Sequence, residues 1–377
     1  MERGSAPLKL LDQYAGVPLV AVLGMKPKRG RLARFSSLGL LQTAAIGDTV
    51  LMAGILSDLR RSFPKIRIVL FAGPSNDEIA RLLAGPDEVV CLPVANPLRA
   101  VRGLRDRPVD VLCDFGPWPR VNAIYAALSG AGFLIGFETP GQYRHYVYDR
   151  AVHHSSQVHE IENQRALVRC LGVESKSIPR LAVDGAPPQI LAPKTYVVFH
   201  GWSAGFRGYI KEWPEEHWLA LGEAVSLLGY DIVITGGAAD HSRGEALSSH
   251  LKSSSRGHCL SFAGKTALAE TLRILKHAVA VVSVNTGVVH LAAAVGTPVV
   301  SINGPVNATR WGPLGSSAIS VDSGGPGCGY LDLGFEYDGR RQDCMATIKP
   351  SVVFEALIRL LRSETARETG LDSQAVS

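Results

Sequence analysis

Short apolar runs alternate with helix-like segments along the first part of the chain. Five of these runs have the length and composition of buried strands: FSSLGLLQT, IRIVLFAG, EVVCL, VDVLCDF and FLIGF. The segments between them predict helices over residues 47–61, 77–83, 97–105 and 121–128. Because parallel strands need crossover connections of this kind, the alternation indicates βαβ units on a parallel sheet.

A second alternation begins near residue 195, after a stretch of different character. Residues 138–194 contain a predicted helix from Glu160 to Leu171 and then a proline-bearing segment ending PPQILAPK, which we interpret as the crossing between domains. Further strands are predicted at TYVVFHG, YDIVITGG, AVAVVSV and PVVSING. Further helices are predicted from Pro214 to Gly229, from a Thr266 cap to His277, from Gly287, and from Ser351 to Arg362.

This pattern predicts a two-domain α/β protein. We expect an N-terminal extension at 1–34, a Rossmann-like domain at 35–175, a second at 176–350, and a C-terminal helix with a frayed tail at 351–377. The expected architecture is two parallel sheets that face a central cleft. Ligands of such sheets bind at the carboxyl ends of the strands, beside helix N-termini.

Composition narrows the class of protein. With 377 residues, 46% apolar and 19% charged, the chain resembles a well-cored soluble protein of more than one domain. A net charge of +5 permits an anionic substrate or membrane surface, and we expect no nucleic-acid partner. We find neither a spanning apolar run nor a clean signal peptide.

The six cysteines include no CxxC pair, which argues against a disulfide scaffold and a zinc site and fits a reducing cytoplasm. Two of them, Cys328 and Cys344, lie in a glycine-rich C-terminal loop. Two cysteines at this separation do not make a metal site. We therefore predict no metal and no cofactor.

Polar residues stand where the strand AVAVVSV meets the next helix. Asn285 or Thr286 can cap that helix, and Gly287 leaves the backbone open to a ligand. The N–H groups of residues 287–289 would then point at one place with the helix dipole behind them, which suits a diphosphate. His290 lies one turn in and can donate to a phosphate oxygen. An ordinary capped helix with a satisfied core histidine is the open alternative.

Two charged residues fall at other strand-to-helix junctions. Lys211 precedes Trp213-Pro214 and either neutralises the same phosphates or is simply solvated. Gly47 and Asp48 follow the first predicted strand. Asp48 is either a general base, with Gly47 leaving room for a sugar hydroxyl, or an acidic residue that suits the helix dipole. Neither junction carries GxGxxG or GxxxxGK[ST], which argues against a dinucleotide or P-loop site.

Three motifs, IGDTVL, KEWPEEHW and NTGVVHLAAAVGTPVVSINGP, resemble in sequence and order those of glycosyltransferase family 9, the lipopolysaccharide heptosyltransferases. TGGAADH and FAGKTALAETLRIL also resemble that family's second domain. The resemblance implies a GT-B fold and an inverting, metal-independent transfer. It also implies an ADP-sugar donor, ADP-heptose by analogy, and an anionic glycolipid or oligosaccharide acceptor.

The resemblance implies roles for single residues as well. Asp48 would be the base that activates the acceptor hydroxyl. Donor contacts would come from Lys211, Thr286, Gly287, Val288 and His290, and from Ser203 in the loop 201–207, which is longer than usual for the family. Asn285 stands where the family usually has an aspartate implicated in holding donor sugar hydroxyls. Asparagine keeps an acceptor oxygen, adds donors and loses the charge, which puts heptose as the donor sugar in doubt.

The acceptor side is indicated by a basic helix. PLRAVRGLRDR places Arg99, Arg102 and Arg105 broadly along one face, at a position where the family meets its anionic acceptor. A solvated basic helix is the equal alternative.

The N-terminal extension combines the apolar run VPLVAVLGM with a basic flank of Lys26, Lys28, Arg29, Arg31 and Arg34. We expect the apolar part to pack on the domain, and the basic part to face either solvent or an anionic membrane. The expected location is the cytoplasm, at the inner face of the inner membrane.

Two other functions remain open at this point. A nucleotide-sugar epimerase of the same fold would act on the donor without an acceptor. A non-catalytic nucleotide-sugar-binding protein is suggested by the change to Asn285.

Overall fold

The computed structural model describes residues 12–30, 34–118, 120–205, 207–254, 257–332, 336 and 339–368. The chain divides into two compact units, Met1–Leu181 and Ala182–Ser377, which we call unit 1 and unit 2. The sequence pattern predicts the start of the second domain at residue 176, six residues before the start of unit 2.

Unit 1 contains a six-stranded parallel sheet in the order β3-β2-β1-β4-β5-β6. Its strands are β1 Ser37–Gln42, β2 Arg67–Ala72, β3 Glu88–Cys91, β4 Val111–Asp114, β5 Phe133–Glu138 and β6 Arg150–His153. Its α-helices are α1 Val17–Leu23, α2 Ile46–Ser62, α3 Asp77–Ala80, α4 Pro97–Arg105, α5 Arg120–Leu128 and α6 Glu160–Arg169. A π-helical turn, Asp12–Gly16, precedes α1, and a 3-10 helix, Arg144–Val147, precedes β6.

Unit 2 repeats this layout with the order β12-β11-β10-β7-β8-β9. Its strands are β7 Tyr196–His200, β8 Asp231–Ile234, β9 Cys259–Ser261, β10 Ala280–Val284, β11 Val299–Ile302 and β12 Ala318–Val321. Its α-helices are α7 Glu215–Leu227, α8 His241–Ser254, α9 Leu268–His277, α10 Gly287–Ala294, α11 Ala308–Trp311 and α12 Pro350–Glu368. Two 3-10 helices complete it, Gly208–Lys211 and Ala238–Asp240.

The central strands are apolar because helices cover both faces of each sheet. Strands β7 and β10 are buried along their whole length, as parallel strands between two helical layers must be. In unit 2 the C-terminal helix α12 joins the same core through Val353 and Leu357. The prediction of an α/β protein with two parallel sheets is therefore confirmed.

Each sheet has one position where successive connections leave in opposite directions. The first strand of unit 1, β1, lies between β2 and β4, and the first strand of unit 2, β7, lies between β8 and β10. The loops diverge there and leave a crevice at the carboxyl ends of the strands. We call these two positions the switch points of unit 1 and unit 2.

Several predicted elements differ from the observed ones. Helix α9 begins at Leu268 with Ala267 as its N-cap, and the Thr266 hydroxyl bonds Thr271, so the predicted Thr266 cap is wrong. Helix α3 ends at Ala80, whereas the pattern extended it to residue 83. The sequence pattern missed β6, α8, β9 and β12. Strands β6, β9 and β12 have only three or four residues, and α8 is rich in serine and histidine, so none shows a strong apolar period.

The structure contains one disulfide, although the cysteine pattern argues against a disulfide scaffold and fits a reducing cytoplasm. Cys328 and Cys344 form this disulfide, with their Cα atoms 5.8 Å apart. The pairing depends on how the loop folds back on itself, and the spacing of cysteines along the sequence does not contain that information. The other four cysteines are free thiols.

The N-terminal segment packs less than expected. Val20 is fully buried in the core of unit 1 and Leu23 packs against that core, but Leu19, Val22 and Met25 are exposed. Arg31 lies outside the described residues. No helix in the described part of the chain combines the length and apolar character needed to span a bilayer.

Candidate functional site

At the switch point of unit 2, helix α10 begins directly after β10. Thr286 is its N-cap, and the Thr286 hydroxyl accepts a hydrogen bond from the N–H of Val288 at 3.3 Å. The N–H of Val289 donates to the Thr286 carbonyl at 3.2 Å. Two of the three N–H groups expected to face a ligand are thus used in the cap, because a capped first turn satisfies its own donors. Thr286, Gly287 and Val288 remain partly exposed.

Asn285 is a buried network residue and does not cap the helix. The residue is 8% exposed. The Asn285 amide donates to Asn303 Oδ1 at 2.8 Å and to the Trp311 carbonyl at 3.0 Å. Asn303 Oδ1 also accepts from the Ser301 hydroxyl at 2.8 Å. This group, Asn285, Asn303 and Ser301, is called the amide network below.

The amide network joins the carboxyl ends of two neighbouring strands. Asn285 follows β10 and Asn303 follows β11, and both Asn303 and Ser301 are fully buried. Sequence reasoning missed Asn303. The available signal was a polar residue that ends an otherwise apolar run just before Gly304-Pro305.

Two histidines lie at this edge of the sheet. His290 lies in the first turn of α10 and is 7% exposed, which leaves both interpretations of this residue standing. His200 ends β7, and its Nδ1 lies 3.1 Å from the hydroxyl of Thr235, which follows β8. Burial lowers the pKa of His200 to about 4, so the imidazole is neutral at pH 7. Sequence reasoning missed both His200 and Thr235 as site neighbours.

The loop after β7 folds back tightly before it reaches Lys211. A Cβ atom on Gly208 would fall 2.1 Å from the carbonyl oxygen of Ser203, so only glycine permits this approach. Ser203 is half-buried. Lys211, also half-buried, ends the 3-10 helix, and the indole N–H of Trp213 donates to the Ile348 carbonyl at 2.9 Å. The backbone around Lys211 is therefore held on both sides.

The disulfide-bonded segment supports this loop. Leu331 lies between Cys328 and Cys344, and its N–H donates to the Pro305 carbonyl at 2.9 Å. Leu331 packs with Ile210, the neighbour of Lys211, and with Val306. The segment thus connects the loop after β11 to the turn that carries Lys211.

At the switch point of unit 1, helix α2 presents Gly47 and Asp48 in its first turn. The helix starts after Ala45, whose φ of +68° is unusual for a residue with a side chain. Gly47 and Asp48 are half-buried. The backbone carbonyl of Asp48 accepts a hydrogen bond from the Gln164 amide at 3.0 Å. Gln164 is fully buried in α6, far along the chain.

Other side chains hold the same turn from outside. The Asn76 amide donates to the Gln42 carbonyl and to the Thr49 hydroxyl, both at 2.8 Å. The Thr43 hydroxyl donates to Asn122 Oδ1 at 2.9 Å. None of these residues was predicted, because their partners lie on elements that are distant in sequence.

A buried ion pair lies at the end of β4. Asp114 and Arg144 are both fully buried and paired, and Arg144 also donates to the Tyr148 hydroxyl at 2.9 Å. The Tyr148 hydroxyl donates to Asp114 at 2.6 Å. Burial raises the pKa of Tyr148 well above its usual range, so the hydroxyl keeps its proton. Sequence reasoning missed this group too.

The three predicted acceptor arginines do not act as one surface. Arg99 is exposed, and Arg102, 83% exposed in its side chain, lies 3.7 Å from Asp106. The Arg105 guanidinium donates to the Leu128 carbonyl at 2.8 Å. Helix α4 follows β3, which β2 separates from β1. Two strand spacings put it about 10 Å from the switch point of unit 1.

Within the described ranges, no group of three or more His, Cys, Asp or Glu side chains is placed to hold a metal ion. Unit 2 has a capped helix N-terminus at Thr286 and a lysine on a held turn, Lys211. Unit 1 has a carboxylate, Asp48, in the first turn of α2.

Comparison with known proteins gives a consistent result. The model of glycosyltransferase family 9 (heptosyltransferase) matches residues 120–328, more than half of the chain. Lipooligosaccharide heptosyltransferase 2 of Haemophilus influenzae is 34% identical over 114 residues, 30% of this chain and 33% of that protein. Lipopolysaccharide heptosyltransferase 2 of Escherichia coli is 30% identical over 159 residues, 42% of this chain and 45% of that protein. The chain thus aligns with less than half the length of these curated relatives.

Solved structures extend the likeness to the fold of both units. The E. coli ADP-heptose lipopolysaccharide heptosyltransferase II superposes with a TM-score of 0.69 at 19% identity, over 88% of this chain and 100% of that one. A family 9 glycosyltransferase from Veillonella parvula superposes with a TM-score of 0.73 at 15% identity, over 89% and 100%. At these identities the likeness establishes the fold, and the expected GT-B fold is confirmed.

Proposed function

The chain belongs to glycosyltransferase family 9, and we propose that it transfers a sugar from a nucleotide-diphospho-sugar to an acceptor of the lipopolysaccharide core. One observation carries the proposal. The capped N-terminus of α10 and the turn that bears Lys211 flank the switch point of a parallel sheet, in the order of the family's motifs.

The donor is assigned to unit 2 by charge. A diphosphate needs positive potential, and the N-terminus of α10 supplies it through the N–H of Gly287 and the partly exposed backbone of Val288, with the helix dipole behind them. Lys211 adds a full charge, Ser203 can donate from the same loop, and His290 can donate from the first turn. The relatives described above are named as heptosyltransferases, and one is named for ADP-heptose, so we propose ADP-heptose as the donor.

Asp48 is proposed as the base. It takes the proton from an acceptor hydroxyl whose oxygen attacks the anomeric carbon, while the bond between that carbon and the diphosphate breaks. The nucleoside diphosphate departs with the bonding electrons, and Lys211 and the α10 N-terminus stabilise its charge. A single displacement inverts the anomeric configuration. No step in this scheme uses a metal ion.

Asn285 acquires a different role from the family's aspartate in this proposal. Both protons of its amide are committed to Asn303 and Trp311. Asn285 therefore shapes the donor site by fixing the backbone ahead of Thr286, and the donor sugar contacts are left to other groups.

The acceptor is proposed to be anionic. Arg99 is exposed and available to it. Arg102 is exposed beside Asp106, and Arg105 already donates to the Leu128 carbonyl. An acceptor built on a glycolipid would place the reaction at the cytoplasmic face of the inner membrane.

The test begins with binding. ADP-heptose, ADP-glucose and UDP-sugars are titrated into the protein by calorimetry, and ADP-sugars should bind while UDP-sugars do not. Lys211→Met should weaken binding of ADP about tenfold or more, since a charge-assisted phosphate contact is lost. Lys252→Met, at an exposed lysine in the last turn of α8, is the matched control and should bind normally.

Turnover is then measured as nucleotide release with core oligosaccharide acceptors. Release should require the acceptor. Isomerisation of the donor alone would indicate an epimerase instead, and the absence of binding by every ADP-sugar would overturn the donor assignment.

A further inference from the structure

An exposed apolar face runs along the N-terminal helix of unit 1. Only Val20 of this helix is fully buried, whereas Leu19 is 43% exposed and Val22 63%. Tyr14 in the preceding turn is 74% exposed, and Met25, which follows the helix, is 82% exposed. Single exposed apolar residues are ordinary on a protein surface, but a contiguous group of them marks a contact site.

Two tyrosines continue this face. The C-terminal end of α1 abuts the 3-10 helix Arg144–Val147, and a Cβ atom on Gly24 would fall 2.6 Å from the Tyr146 carbonyl oxygen. Tyr143 and Tyr146 stack with ring centroids 6.1 Å apart, and they are 45% and 41% exposed. Tyrosine is typical of the boundary between lipid and water, because its ring is apolar and its hydroxyl can stay hydrated.

Basic residues follow the apolar ones directly. Residues 14–30 include Lys26, Lys28 and Arg29 and contain no acidic residue. Lys28 is exposed, and its ammonium group donates to the His145 carbonyl at 3.1 Å, which fixes the basic segment beside the tyrosine pair. Arg29 is partly neutralised by Asp149, 3.9 Å away, so Lys26 and Lys28 supply most of the positive potential.

We propose that these residues form a membrane-docking face that binds an anionic lipid bilayer. Leu19, Val22 and Met25 enter the boundary between headgroups and acyl chains, Tyr143 and Tyr146 lie at headgroup level, and Lys26 and Lys28 meet lipid phosphates. The inference rests on the proposed function in one respect: membrane docking would hold the enzyme at the surface that carries a glycolipid acceptor.

The chemistry favours a bilayer over a protein partner. A stable protein interface uses about 20 to 30 residues a side. The exposed apolar and aromatic residues here are six, with a basic edge and no acidic residue between 14 and 30. An apolar strip bordered by lysines matches the two attractions of an anionic bilayer, hydrophobic burial and headgroup charge.

The test is flotation of the full chain with vesicles. Vesicles of phosphatidylcholine with about one third phosphatidylglycerol should bind the protein, and vesicles of phosphatidylcholine alone should bind it weakly. Binding should fall as salt is raised, because headgroup attraction is screened. Val22→Asp should lower the partition coefficient about tenfold, and Lys28→Ala about fivefold.

Leu98→Asp is the matched control. Leu98 is 86% exposed in the first turn of α4, in the same unit but outside the docking face, and its substitution should leave binding unchanged. Val22 is exposed, so Val22→Asp should keep the native circular dichroism spectrum. It should also keep full nucleotide release with a water-soluble acceptor, which separates membrane binding from the transferase reaction.

Three results would overturn the proposal. One is failure of the full chain to bind phosphatidylglycerol vesicles, whatever its transferase activity. Another is equal loss of binding in Leu98→Asp and Val22→Asp. The third is a concentration-dependent dimer that Val22→Asp abolishes without any lipid binding, which would assign the face to a second copy of the chain.

Discussion

In unit 1 the helix at the switch point starts after a left-handed Ala45 and is held from outside by Asn76 and Gln164. In unit 2 the helix compared with it is α10, which follows β10, the neighbour of β7. Helix α10 starts at its own cap, Thr286, and the amide network joins the ends of β10 and β11. The two sheets have the same strand order, but α2 follows the first strand of its sheet and α10 follows the fourth, so the two sites differ in the strand end they use and in the side chains that stand there.

That difference separates two kinds of chemistry. The ends of β10 and β11 beside α10 carry the neutral amides of Asn285 and Asn303, and the carboxylate of Asp322, which follows β12, hydrogen-bonds Asn303. Unit 1 places Asp48 at its switch point and a buried ion pair, Asp114 with Arg144, at the end of β4. The same topology is thus compatible with both proposed roles, proton abstraction in unit 1 and anion binding in unit 2.

The largest expected effect tests the assignment of the base to unit 1. Asp48→Asn should lower kcat of sugar transfer by about a hundredfold to ten-thousandfold, because the amide cannot accept the acceptor proton. Binding of ADP should be unchanged. Asp77→Asn, in the first turn of the next helix α3, is the matched control and should keep nearly full turnover. An Asp48→Asn enzyme with normal kcat would remove the base from unit 1.

Acid should separate the stabilities of the two units. The pKa of His200 is about 4 in the folded protein against an ordinary 6.5, so the unfolded chain binds a proton first as pH falls. The free energy of unfolding of unit 2 should therefore decline between pH 6.5 and 4, by up to about 3 kcal/mol.

The free energy of unfolding of unit 1 should begin to decline only at a lower pH. Although burial alone would raise the pKa of Asp58, hydrogen bonds from Ser175, Lys176 and Ser177 lower it to about 2 from 3.8. The stability that Asp58 contributes is present above pH 3.8 and is lost between 3.8 and 2, about 2 kcal/mol.

Tryptophan fluorescence during urea unfolding measures this difference, because Trp118 is the only tryptophan of unit 1 and the other four belong to unit 2. The His200→Gln variant should lose most of the decline in the unfolding free energy of unit 2 between pH 6.5 and 4. A midpoint that does not move between pH 6.5 and 4 would contradict the prediction.

A smaller effect is expected when the amide network is made to resemble the family's aspartate. Asn285→Asp places a carboxylate against Asn303 Oδ1 and the Trp311 carbonyl, both acceptors. We expect the free energy of unfolding in urea to fall by about 1 to 3 kcal/mol. Asn96→Asp, at the N-cap of α4, should be neutral since both residues cap well. A changed donor preference in Asn285→Asp would show that this position also sets sugar specificity.

The smallest expected effect concerns the support of Asp48. Gln164→Leu removes the hydrogen bond to the Asp48 carbonyl and should lower kcat about fivefold with an unchanged KM for the donor. Gln164 Oε1 is buried without a hydrogen-bond partner in the described part of the chain, so leucine should not lower the melting temperature. Gln157→Leu, at an exposed position, is the control. Equal losses of stability and kcat would indicate a purely structural role.

The alternation of strands and helices could be predicted because parallel strands that are buried on both faces consist of consecutive apolar residues. Helix α4 was predicted over its observed range, and Thr286 was one of the two residues predicted to cap α10. The roles of Asp48 and Lys211 stay predictions until their variants are measured.

What the sequence could not reveal depends on partners far apart along the chain. Gln164 meets the Asp48 carbonyl from 116 residues away, and Asn76 meets the Gln42 carbonyl from 34. Such contacts have no local period or motif. The pairing of Cys328 with Cys344 was missed for the same reason, since it depends on how the loop between them folds back.

The amide network also constrains how this protein can diverge from its relatives. Asn303 accepts from Asn285 and Ser301 on its oxygen and donates to the Ser301 carbonyl on its nitrogen. If the Asn303 amide rotated by 180° to donate to an aspartate at position 285, its oxygen would lie against the Ser301 carbonyl, and two acceptors would face each other. A lineage that carries Asn285 therefore reaches aspartate through a less stable intermediate or through a prior change at 303, and substitutions at these two positions should be inherited together.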